Sequence, residues 1–182
     1  MTWDEGEFAG LFGVRYVEYA DCWVGFTVAD VPAELVARLH LVAVTAAGNV
    51  VVCRTEGGDR FLPGGTREAG ESLAELAARE LMEEAGARVV GEVTVFGAHV
   101  AQSRLDKPFR DHLPHPTGYW AYGVVPVDIV GAPTNPADGE NVVEVLALPV
   151  PEAVEYLGND GGDSHADVVR LAAAMGLVNQ RM

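Results

Sequence analysis

The stretch Ser72–Gly86 constrains this chain more than any other. Ser72-Leu73-Ala74-Glu75 is a capping box and Gly86 suits a helix C-terminal stop, so a helix is expected over 73–85. Drawn at about 100° per residue with Leu73 at zero, Leu76, Ala77 and Leu81 fall on one apolar arc that should face a core. Glu80 (about 340°), Glu84 (about 20°) and Glu83 (about 280°) fall in the same arc, with Glu75, Arg79 and Met82 on the other side. Glu68, Glu71, Glu75, Glu80, Glu83 and Glu84 crowd into 17 residues. An acidic run is ordinarily a solvated helix face. Here, three carboxylates on a half-buried arc repel one another and are poorly hydrated, and each costs several kcal/mol if left unpaired. Arg79, one residue before Glu80 and four before Glu83, offsets one or two of them. A divalent cation would satisfy them all, and oxygen-only ligation points to Mg²⁺ or Mn²⁺ rather than Zn²⁺.

Around this helix the chain reads as one domain of mixed α+β type. Residues 13–29 suggest two short strands broken at Ala20-Asp21, and Pro32 followed by AELVARL a short helix. Leu41–Ala46 and Asn49–Arg54 form a hairpin signal about Ala47-Gly48, and Phe61–Gly65 a loop. Strands are expected over Val89–Ala101, Tyr119–Val130 and Val142–Leu148, with loops at 102–117 and 131–141. Helices are expected over Glu152–Leu157 and His165–Met175, the second capped by Ser164. The order implies a mixed sheet with helices packed on it. At 182 residues and 49% hydrophobic content the chain can build its own core. No apolar run is long enough to span a membrane, the start does not resemble a secretory signal, and the two cysteines read as buried thiols, so a cytoplasmic location is expected. The net charge of −15 disfavours general nucleic-acid binding.

Gly65, five residues, Glu71, seven residues, then Arg79-Glu80-Leu81-Met82-Glu83-Glu84-Ala85-Gly86-Ala87 resembles the Nudix box, G-x5-E-x7-R-E-U-x-E-E-x-G-U, where U is a bulky aliphatic residue. Every charged and glycine position matches. Ala87 is smaller than usual, which bears on packing rather than chemistry. The resemblance covers roughly 38–157, leaving 1–37 as an extension of strands and a short helix packed on the domain, and 158–182 as a C-terminal helix. It implies the Nudix fold, an α/β/α sandwich, and a Mg²⁺- or Mn²⁺-dependent hydrolase that cleaves the pyrophosphate of a nucleoside diphosphate linked to another group. It also implies site roles: Glu80, Glu83 and Glu84 as metal ligands, the Gly64 carbonyl as another, Arg79 orienting the carboxylates, and Glu71 fixing the loop before the helix. Substitution at phosphorus needs such a set, because cations neutralise the pyrophosphate and acidify the attacking water.

Other residues are weaker candidates. The general base is open between a helix glutamate and a later loop acid, with Glu140 best placed among Asp138, Glu140 and Glu144. Arg104, Lys107 and Arg110, with His112 and His115, lie in the 102–117 loop and suggest a phosphate or ribose contact. His40, His99 and His165 read as structural or surface residues. Trp120 is expected on the strand face opposite Tyr119 and Tyr122, one face core and the other free to stack on a base. Signatures for NADH, ADP-sugar, dinucleoside polyphosphate or coenzyme A substrates are not found, so the linked group stays unassigned. The alternative is a Nudix-like domain that senses a nucleotide without cleaving it. An isomerase would need an active-site cysteine, whereas Cys22 and Cys53 fall in strands. The aromatic strands of the extension and family analogy favour a homodimer.

Overall fold

The structure, a computed structural model, describes residues 3–137, 141–158 and 163–178. A helical turn, α1 (Ala9–Phe12), leads into strands β1 (Arg15–Val17) and β2 (Cys22–Thr27). Then come β3 (Val36–Thr45), β4 (Val50–Thr55), β5 (Arg60–Phe61) and β6 (Gly64–Thr66), followed by α2 (Leu73–Ala85). The chain continues through β7 (Ala87–Val89), β8 (Thr94–Ser103), β9 (Thr117–Ile129) and β10 (Val142–Leu148). Two helices close it, α3 (Val150–Gly158) and α4 (Asp163–Ala174).

One curled mixed sheet runs β1-β2-β8-β9-β3-β4-β10, with β5 on β4, β6 on β3 and β7 on β9. The β3–β9 pair is parallel, and the other pairings are antiparallel. Both faces of the centre are covered, so these strands read as nearly unbroken apolar runs. Leu39, Leu41, Ala43, Val51 and Cys53 pack with Leu76, Ala77, Leu81 and Ala85 of α2. Val42, Val50 and Val52 pack on the other face with Val150, Ala153 and Leu157 of α3 and Val168, Val169 and Leu171 of α4. The expected mixed sheet flanked by helices is present. No described helix is long and apolar enough to cross a membrane.

Local readings differ in instructive places. The helix expected after Pro32 is a single 3-10 turn, Ala33–Leu35, after which β3 begins at Val36. Pairing of Val36–Thr45 along β9 overrides the local helical pattern. The strand expected over 89–101 is split into β7 and β8, which pair with Val127–Ile129 and with residues 117–124 of β9. Pro126, which has no N–H for the ladder, sits where the pairing breaks, and its carbonyl accepts from Val90 N at 3.0 Å. Only Leu62 and Pro63 lie outside strands in the 61–65 loop, and Pro63 O still accepts from Leu41 N at 2.8 Å. The loop after β8 narrows to 104–116. The extension is built into the sheet: β2 pairs with β8, and Phe8 and Leu11 are buried in the core that α4 shares. Both cysteines are free and buried. The side chain of Ser164 lies outside the described residues.

Candidate active site

Helix α2 begins and ends as its sequence dictates. Ser72 Oγ accepts from Glu75 N at 3.2 Å and Ser72 N donates to Glu75 Oε2 at 2.8 Å, while Gly86 adopts a left-handed C-cap. The helix is pressed against β6 through two glycines. A Cβ on Gly64, whose φ is +147°, would lie 2.2 Å from Leu39 O, and one on Gly65 would lie 2.3 Å from Glu80 Oε1. No larger residue lets this backbone approach both β3 and the helix carboxylates.

Arg79 organises the acids. Its guanidinium grips Glu71 in a two-pronged pair (Nε–Oε1 2.8 Å, Nη2–Oε2 3.1 Å) and reaches Glu80 Oε1 at 2.9 Å and Glu83 Oε2 at 3.2 Å. Its Nη2 also donates to Thr66 O at 3.2 Å. The wheel placed Arg79 on the far side of the helix, but its long side chain folds back over the acids to reach this arc. Glu84 Oε2 accepts from Gly64 N at 2.8 Å. Glu80 is 7% exposed. Burial pushes its carboxyl up, Arg79 opposes that, and Glu83 and Glu71 add to it. Glu71 is also pushed up by burial, but the Arg79 hydrogen bond and the Glu68 N–H outweigh this and hold it below the usual carboxylate range.

Three carboxylates therefore share one guanidinium in a half-buried seam, with Glu84 of the same helix turned to the Gly64 N–H. An all-oxygen donor set with excess negative charge fits a hard divalent cation. Among the described residues no three acidic, histidine or cysteine side chains converge as a formed metal centre; Glu80 and Glu83 turn to Arg79, and Glu84 to the Gly64 N–H. Glu80, Glu83, Glu84 and the Gly64 carbonyl are the groups that could take a cation there.

The general-base candidates separate. Asp138 and Glu140 lie outside the described residues, but the segment before them is tied to α2: Thr134 N donates to Met82 O at 3.4 Å and Asn135 N to Glu83 O at 3.2 Å. Glu144 is turned the other way. It pairs with Arg54 at 3.2 Å and accepts from Tyr156 Oη at 2.7 Å, on the α3 side, while its neighbour Val145 packs on the α2 side.

Thr66 also lines a pocket of about 400 Å³ on the sheet face away from α2. Of the loop cations, Arg110 lines it; Arg104 lies over the Tyr16 ring and Lys107 is exposed outside it. His112 Nε2 bonds Arg67 O and His115 Nε2 bonds Leu105 O, both at 2.9 Å, which ties the loop down. Trp120 faces this pocket. Tyr122 is on the same face, packed with Phe26 and the rings of His40, His99 and His165, whereas Tyr119 alone faces α2. Alternation along a strand puts residues 120 and 122 together. His99 is buried, and His40 and His165 are half-buried around Tyr122: desolvation holds all three below the ordinary value, with His99 and His165 at about 4, and His165 Nδ1 accepts from Leu62 N at 3.2 Å. Arg38, absent from the sequence-derived candidates, also lines the pocket. Its alternation with Leu39 and Leu41 was the available signal, hidden by the helical reading of 33–39.

The NUDIX domain model matches residues 36–170. The chain belongs to the Nudix hydrolase family. The Bacillus subtilis pyrophosphohydrolase BsRppH, crystallised as a point mutant, is similar at 17% identity and a TM-score of 0.52, over 83% of this chain and 99% of that one. The MutT protein of Methanosarcina mazei Go1 follows at 16% identity and a TM-score of 0.46, covering 81% and 99%. A UDP-X diphosphatase gives 16% and 0.46, covering 98% and 75%. The likeness to BsRppH is one of fold. No curated relative matches. The Nudix match begins at Val36, the first residue of β3, so β1 and β2 lie before it.

Proposed function

We propose that this Nudix hydrolase uses Mg²⁺ or Mn²⁺ to cleave the pyrophosphate linkage of a nucleoside diphosphate joined to another group. The observation that carries this reading is the seam in which Glu71, Glu80 and Glu83 share Arg79, with Glu80 buried in it and Glu84 held at the Gly64 N–H. Glu80, Glu83, Glu84 and the Gly64 carbonyl hold the cation, which when bound supplies charge neutralisation and acidifies water. Glu71 and Arg79 are positioning residues: the two-pronged pair locks the guanidinium, which aligns Glu80 and Glu83. Glu140 is our candidate to take the proton of the attacking water, and the ties of Thr134 and Asn135 to the last turn of α2 support it. Arg104, Lys107 and Arg110 draw the polyanionic substrate toward an otherwise acidic molecule. A substrate panel of nucleotide diphosphate derivatives with Mg²⁺ and with Mn²⁺, products identified by mass, tests the reading. Turnover without metal, or none with any substrate, overturns it. The second outcome would favour the sensing domain, which the complete set of box glutamates speaks against.

A further inference from the structure

The pocket beside Thr66 is exceptional in a chain with 27 acidic residues: no Asp or Glu lines it among the described residues. Its polar groups are mainly donors. Arg38 sits on β3 between Thr66 of β6 and Trp120 of β9, its guanidinium 5.6 Å from the Trp120 ring centre. Arg38 Nη1 donates to Tyr19 Oη at 3.3 Å, its buried Nε has no acceptor, and it makes no ion pair with a described residue. Arg110 adds a second cation. At the rim, Phe109 and Tyr19 are 81% and 79% exposed, which is unusual for two large rings beside one opening. The volume is that of a small-ligand site. Tyr19, Ala20 and Cys22 supply one wall, and they precede the family match.

We propose that this pocket selects the base of the nucleotide, taking a nucleobase whose edge presents hydrogen-bond acceptors, as guanine presents O6 and N7. The ring packs against Trp120, and the Arg38 guanidinium, swung from its stacked position, donates to the two acceptors in a fork. Adenine carries an amino donor where guanine carries O6, so it meets Arg38 donor to donor. Arg38 and Trp120 are then specificity-determining residues, and the segment Tyr19–Cys22 is part of the substrate site. Shared Thr66 places this base pocket next to the Arg79 seam, where the diphosphate is cut. The inference rests on the pyrophosphohydrolase reading for calling the ligand a substrate, whereas base binding itself needs no metal.

The test is metal-free binding of GMP, AMP and ribose 5-phosphate to the full chain by calorimetry, so that a failure of hydrolysis leaves it intact. GMP is expected to bind about tenfold or more tighter than AMP, and ribose 5-phosphate weakest. In Arg38→Gln the GMP/AMP ratio falls toward one. Arg38→Lys keeps the charge and the fold but loses the fork, and loses the ratio too. Trp120→Leu weakens both mononucleotides, and Trp120→Phe restores them. GMP binding no tighter than AMP or ribose 5-phosphate, or an unchanged ratio in a folded Arg38→Lys, overturns the proposal.

Discussion

The two regions that meet at Thr66 are opposites. On the α2 side, three carboxylates share one guanidinium with Glu84 held at the Gly64 N–H, and every side chain except Glu71 comes from a single helix. On the other side, a pocket with no carboxylate among the described residues is walled by β2, β3, β6, β8, β9 and the 104–116 loop, with two arginines and Trp120. The first is a local object whose charges are forced together by helical spacing. The second exists only after distant strands pair. On the reading proposed above, the contrast would divide the labour: the acid seam would attract a cation and be indifferent to the base, whereas the basic pocket would be indifferent to metal and read the rest of the substrate.

The sharpest way to break this division is at the acids. Glu84→Gln and Glu80→Gln keep an oxygen for the Gly64 N–H and for Arg79 but offer a poor ligand to a hard cation. Activity should fall about 10²-fold or more in kcat, with mononucleotide binding in the pocket unchanged. Thermal stability should hold or rise, because repulsion within the seam decreases. Full turnover by both variants removes these residues from the ligand set.

A pH titration separates both regions from the core behind them. His40, His99 and His165 pack with Tyr122, and desolvation favours their neutral forms, with Arg38 and Arg15 as the nearby cations. His99 and His165 have folded pKa values of about 4 against 6.5 unfolded. The unfolded chain therefore binds more protons between those values. The stability they contribute is complete above about pH 6.5 and is lost as pH falls toward 4, up to about 3 kcal/mol for each. Melting temperature measured from pH 7 to 4.5 should fall, with a shallower slope in His99→Phe. A slope unchanged by that substitution would remove His99 from the loss.

How much of this was legible follows from the same contrast. The helix, its caps and the acid arc could be read from residues 72–86, because spacing alone sets which groups share a face. The helical reading after Pro32 failed because β3 pairs with β9 some eighty residues later, and that pairing, not local propensity, decides its conformation. Arg38 was lost with it. Trp120 was noticed for its ring, but its partners Arg38, Ala101 and Cys22 are distant in sequence. The reach of Arg79 back across the helix was hidden for another reason. A wheel places Cβ atoms, whereas a guanidinium ends several bonds further on.

Removing the shared cation asks whether the seam is held by charge. Arg79→Gln leaves Glu71, Glu80 and Glu83 without their partner, in a seam where the side chain of Arg79 is 24% and that of Glu80 9% exposed. Half-burial reduces the cost below that of a fully buried pair, to about 2 kcal/mol. Because a divalent cation can replace the lost charge, Mg²⁺ should raise the melting temperature of Arg79→Gln more than that of the parent chain. Equal shifts would mean that the cation binds elsewhere.

The smallest effect concerns the loop cations, and it decides which side of Thr66 they serve. Charge alone groups Arg104, Lys107 and Arg110, yet only Arg110 lines the pocket; Arg104 lies over Tyr16 and Lys107 stands in solvent. Neutralising all three should raise KM a few-fold and leave kcat nearly unchanged, since binding shared by ground and transition states is lost while the acid seam is untouched. Long-range attraction by exposed charges is screened within about 8 Å at physiological ionic strength, so the Arg104 and Lys107 contributions should vanish first as salt rises. What remains at high salt belongs to Arg110 and should appear in Arg110→Gln alone. An unchanged KM for the triple variant at low salt makes 104–116 a connector. If KM instead rises equally in each single variant and disappears with salt, the loop acts by steering alone, and base selection rests on Arg38 and Trp120 without it.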